Sequence, residues 1–133
     1  MFLRTLKSEQ KPLFLGLAYQ AANANGVVES SEKRLIKGFA EELGIAENDY
    51  STLELEEICN NLVEISSRKE LIEMSFEILG VMMGDTTYDE DEKAFMKEMN
   101  KIFGFSDDIL KEMEDCLREY LAIYKKIEKI TML

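Results

Sequence analysis

The hydrophobic positions of this chain recur at spacings of three and four residues from Leu13 almost to the C-terminus, which predicts helix throughout. Pro12 suits a first helical turn, and Leu13, Leu17 and Ala21 begin an apolar face that Phe14 and Ala18 widen. A second stripe, Leu35, Ile36, Phe39 and Leu43, stops at Gly44, where a left-handed residue lets Ile45 fold back on the last turn. Ser51-x-x-Glu54 and Ser67-x-x-Glu70 read as capping boxes that start two more helices. Asp89-x-x-Glu92 places acids on the open amides of a fifth helix, whose face of Phe95, Met96, Met99, Ile102 and Phe103 ends at Gly104. Ser106 begins a long last helix. Its stripe carries Ile109, Leu110, Met113, Leu117, Tyr120, Leu121, Tyr124 and Ile127, and Lys125, Lys126 and Lys129 suit the dipole at its end. The pattern predicts an all-α bundle of about six helices in one domain over residues 1–133.

The two halves also match each other. With a shift of 60 residues, Glu32-Lys33 falls on Glu92-Lys93, Lys37 on Lys97, and Leu43-Gly44-Ile45 on Phe103-Gly104-Phe105. Asn25 falls on Asp85, Val28 on Tyr88 and Glu29 on Asp89. In each half an apolar segment runs into a polar joint, and a charged amphipathic segment follows. Residues 13–45 and 71–105 are therefore expected to be pseudo-equivalent helix–loop–helix units, a pair rather than a solenoid.

Composition narrows the chemistry. At 133 residues and 46% hydrophobic, the chain supports a sizeable core without metals or disulfides. Its formal net charge is −11, with −5 over residues 1–66 and −6 over 67–133. Such a field repels phosphate backbones and anionic lipid heads, so cations or basic partners are favoured over nucleic acid. There is no histidine, which removes the usual general base and the commonest zinc ligand. Cys59 and Cys116 are isolated at apolar helical positions, as expected for two packed, reduced thiols of a cytoplasmic protein. No phosphate loop, nucleophile motif or dinucleotide fingerprint occurs, so a non-enzymatic role is expected. The N-terminal Met1-Phe-Leu-Arg-Thr-Leu is interrupted by charge too early for a signal peptide, and no apolar run reaches membrane-span length.

The joint Ala22-Asn-Ala-Asn-Gly-Val-Val-Glu-Ser-Ser-Glu invites comparison with a calcium loop. With Gly26 at position 6 of an EF-hand, Asn23, Asn25 and Glu32 fall on ligand positions, but position 1 is Ala21. The matching frame in the second half puts Val81 and Met83 on ligand positions and keeps only Asp85 and Glu92 as strong ligands. Turn-forming Asn, a permissive Gly26 and a capping Glu29 or Ser30 account for the same residues as a helix connection. If the two halves pack about a pseudo-twofold axis, Asn25, Glu29 and Glu32 approach Asp85, Asp89 and Glu92. Such a site would suit a hard divalent cation, calcium or magnesium, that keeps several of its waters.

These joints resemble the TerB-like family of tellurite-resistance proteins. The family's joint follows the pattern A-x-A-D-G-x-[IV]-x-x-x-E, and L-G-[IL] closes the next helix. Asn25 stands where the family usually has aspartate, and Thr86 replaces glycine in Met83-Gly-Asp-Thr-Thr-Tyr-Asp-Glu-Asp-Glu. The likeness covers roughly residues 10–128. It implies an all-α, non-enzymatic domain with acidic joints linked to metal binding, used in stress-response assemblies near membranes. The expected role is thus a protein-interaction or sensing module that binds a basic or apolar helix. A divalent-cation protein using the two joints is the alternative. Two further features bear on partners. Phe2, Leu3 and Leu6 are expected to pack on the bundle or swap onto a neighbouring chain, and Met82, Met83, Met96 and Met99 are candidates for a groove or for core.

Overall fold

The computed structural model describes residues 2–24, 30–46, 53–84 and 88–133, without the side chains at positions 30–32 and 35. Six α-helices account for most of these residues, and no strand occurs among them. They are α1 (Gln10–Ala22), α2 (Ser30–Leu43), α3 (Leu55–Ile65), α4 (Arg68–Gly84), α5 (Glu90–Phe103) and α6 (Asp107–Thr131). A 3₁₀ turn, Leu3–Thr5, precedes α1. The expected all-α bundle is the observed fold.

Two helices are apolar on more than one side and so lie inside. In α1, Phe14, Leu15, Gly16, Leu17 and Ala18 are consecutive buried residues, and the helix packs against α2, α3 and α4. α4 buries Met74, Ile78 and Leu79 completely and packs against α1, α5 and α6. The outer helices are amphipathic and cover this central pair. α3 also packs on α5, whereas no comparable packing joins α6 to α2 among the described residues. That missing contact shapes the surface considered below.

Helix ends follow local chemistry. Ser67 and Glu70 form the expected capping box: Glu70 Oε1 accepts from the Ser67 amide at 2.8 Å, and Ser67 Oγ accepts from the Glu70 amide at 3.2 Å. Ser106 Oγ caps α6 by accepting from the Ile109 amide. α2 and α5 each span 14 residues, offset by 60, and end alike. Gly44 and Gly104 are left-handed at φ 71° and 89°, and Ile45 N and Phe105 N donate to Ala40 O and Asn100 O. These are paired Schellman motifs. The third expected box needs correction. α3 begins at Leu55, with Glu54 in extended conformation and no side-chain cap, and Ser51 lies outside the described residues. Gln20 Nε2 donates to Leu53 O and holds this segment against α1, which delays the helix.

The N-terminal segment packs on its own bundle. Leu3 and Leu6 are buried, the Phe2 amide donates to Glu77 Oε1 at 2.7 Å, and the Phe2 ring lies 6.4 Å from that of Phe76. Met82, Met96 and Met99 are core residues, so they line no groove. They fill the interior between central and outer helices, the commonest use of such adaptable side chains.

Candidate functional site

The acidic joints divide between described and undescribed residues. Asn25, Glu29 and Asp85 lie outside the described residues, as does the side chain of Glu32. Asp89 and Glu92 form a capping box at the start of α5: Asp89 Oδ1 accepts from the Glu92 amide at 2.8 Å, and Glu92 Oε1 accepts from the Asp89 amide at 3.1 Å. Each carboxylate thus commits one oxygen to an open amide of the helix. Glu92 is buried, and beside it the Tyr88 hydroxyl is enclosed without a hydrogen bond of ordinary geometry among the described residues. Burial, and then the neighbouring carboxylates of Glu114 and Glu92, push the Tyr88 phenol well above its usual range, so it stays neutral.

The EF-hand frame does not fit what is described of it. Ala21 is buried inside α1, and Asn23 uses its side-chain amide to donate to Tyr19 O at 3.1 Å. Val81 and Met83 belong to α4 rather than to a loop. α1 runs through position 1 of its frame, and α4 runs through positions 1 and 3 of the other. No group of three or more Cys, Asp or Glu converges as a metal cage among the described residues.

The more distinctive feature is apolar. Where α6 fails to close onto α2, a cleft of about 370 Å³ opens. Phe39 comes from α2, Phe76, Gly80 and Val81 from α4, Cys116, Leu117 and Tyr120 from α6, and Phe2 from the N-terminal segment. Glu77, which accepts from the Phe2 amide, is the charged group on its wall. Cys116 is exposed here, which corrects the expectation of two packed thiols. Only Cys59 lies in the core, where burial and, secondarily, the charge of Glu98 push its thiol up to about 12.

The cleft runs onto the exposed half of α6. Leu110 and Met113 are buried, but on the same stripe Tyr120 is 48% exposed, Tyr124 51% and Ile127 52%. Ile123 and Ile130 beside them are 56% and 67% exposed. The sequence places these residues on one stripe, and the structure buries only its first two turns. Length was the signal that would have revealed this. α6 has 25 residues and α4, against which it packs, has 17, a difference of roughly 12 Å of helix. Among the described residues no helix is long and apolar enough to cross a membrane. Comparison of the chain with protein-family models, with curated proteins and with solved structures finds no match.

Proposed function

We propose that the protein is a non-enzymatic protein-interaction module whose binding surface is the C-terminal half of α6 together with the adjoining cleft. The observation that carries this reading is the continuous apolar stripe from Leu117 to Ile130, five of whose large side chains are about half or more exposed. Those five side chains present on the order of 500 Å² of apolar surface, at the upper end of what monomers tolerate without a partner. The cleft's wall is almost entirely apolar, so it lacks the converging polar groups that orient small polar substrates. A helix is the better fit, because an apolar groove takes side chains at spacings of three and four. The TerB-like resemblance suggests that such binding serves a stress-related assembly.

A photo-crosslinking residue placed at Ile127 tests the reading, with one at exposed Lys101 as control. Protein adducts at position 127, suppressed by Tyr124→Glu, are the expected result. Equal yields at the two positions would sink it.

A further inference from the structure

We propose that the occupant of this surface is a second copy of the chain. The C-terminal halves of the two α6 helices pack antiparallel about a twofold axis, and each tail reaches the cleft of the other copy. This rests on the interaction reading above and adds the partner's identity.

The first argument is register. Leu110, Met113, Leu117, Tyr120, Tyr124 and Ile127 alternate at spacings of three and four, the seam of a helix that packs against helices. Its first members are buried inside the bundle, and the same seam continues unburied beyond Leu117. Ile123 and Ile130 flank it and make the face too wide for a single opposing helix. Such a face needs a helix and a second wall, and the cleft rim is an apolar wall continuous with it.

Charge sets the orientation. Residues 107–116 carry one basic and five acidic side chains, whereas residues 117–133 carry four basic and two acidic. The rest of the chain, residues 1–116, has 12 basic and 25 acidic residues. A parallel pair would set Lys125, Lys126 and Lys129 against their own copies. An antiparallel pair crossing at Tyr124 instead sets Lys129 ten residues away from its own copy and lays each basic tail alongside the acidic body of the other copy. A tail with four basic and two acidic side chains then lies against a body with 12 and 25, and that difference of sign selects partner and orientation.

Area decides that both surfaces are used. The α6 stripe alone, on the order of 500 Å² per copy, falls short of the roughly 800 Å² per partner typical of stable interfaces. Inclusion of the largely apolar cleft rim brings each copy closer to that size. Other occupants fit less well. A small apolar ligand would fill the cleft and leave Tyr124, Ile127 and Ile130 uncovered, and an anionic membrane that attracts the basic tail would repel the acidic body around the cleft.

Sedimentation velocity on the full chain tests the proposal with two variants. Tyr124→Glu/Ile127→Glu changes side chains outside the core. Gly80→Leu fills the cleft from a position where an added Cβ meets nothing within 4 Å. The wild type is expected at twice 15.3 kDa. The double variant is expected at the monomer mass with an unchanged circular dichroism spectrum, and Gly80→Leu should dissociate at a concentration at least tenfold higher. A wild type that stays monomeric up to about 0.1 mM, or a dimer indifferent to both variants, overturns the proposal. A monomer that forms Ile127 adducts with other proteins overturns it while sparing the interaction reading. A monomer that forms no adducts ends both, and a monomer that co-sediments with phosphatidylserine vesicles replaces the second copy with a lipid surface.

Discussion

Ser75 and Asn100 are buried between α4 and α5, and their side chains satisfy each other. Ser75 Oγ donates to Asn100 Oδ1 at 3.1 Å, and Asn100 Nδ2 donates to Met96 O at 2.8 Å. Buried polar groups are costly chiefly when a partner is removed. Asn100→Ala therefore strands the Ser75 hydroxyl and opens a small void, and about 2–3 kcal/mol of stability should be lost. Ser75→Ala removes one bond and should cost about 1 kcal/mol. Urea unfolding with an unchanged slope would read both. The cysteines differ just as plainly. Cys116 is exposed at the cleft, while Cys59 is fully buried with its thiol pushed up to about 12. Thiolate is the reactive form, so in the monomeric Tyr124→Glu/Ile127→Glu chain, where the cleft is open, Ellman's reagent should titrate one thiol at once and the second only after denaturant is added. Two fast thiols would mean that α3 is not seated as described.

Helix ends show why part of the fold is legible in the sequence. Ser67, Glu70, Asp89, Glu92, Gly44 and Gly104 act within four residues of themselves, and the structure places each of them as its local chemistry requires. Sign as well as place follows for glycine. Gly104→Ala forces a Cβ into a φ of 89° and should cost about 1 kcal/mol, although nothing crowds the new atom. Gly80→Ala sits in the middle of α4 with open space around it, so the same substitution should add about 0.5–1 kcal/mol in thermal melts. The Ser67–Glu70 cap carries a pH dependence. The Ser67 amide, assisted by Gln10 and Lys7, holds the Glu70 carboxyl below its ordinary value of 4.5. A carboxyl lowered in the folded state stabilises above that ordinary value and ceases to as pH falls through the lowered one. Wild type should exceed Glu70→Gln by roughly 0.5 kcal/mol at neutral pH, and the gap should close in acid. Elements set by longer-range contacts were less legible. The start of α3 depends on Gln20 reaching Leu53 O from another helix, and no pattern within residues 51–55 encodes that bond.

The candidate site belongs to the scale of the whole molecule, which is why the stripe of α6 was readable but its cover was not. A heptad pattern states that a face is apolar, and only the packing of the other helices decides which turns find a partner. Here α4 supports the first turns of α6, α2 makes no comparable packing with it among the described residues, and the last large buried residue of the helix is Met113. The core clustered on α1 and α4 is then complete without the C-terminal turns. A chain ending at residue 120 should keep its helical signal per residue and unfold within about 1 kcal/mol of a monomeric Tyr124→Glu/Ile127→Glu chain, because apart from the half-buried Leu121 it loses only exposed side chains. Against the wild type the comparison changes with concentration, since a partner that binds the folded state raises apparent stability by mass action. Melting midpoints that climb with wild-type concentration, and stay flat for the truncated chain, would assign the extra turns of α6 to association. A truncated chain that unfolds at every concentration would show instead that these turns brace their own bundle, and the stripe would then be a structural strut with its binding role withdrawn.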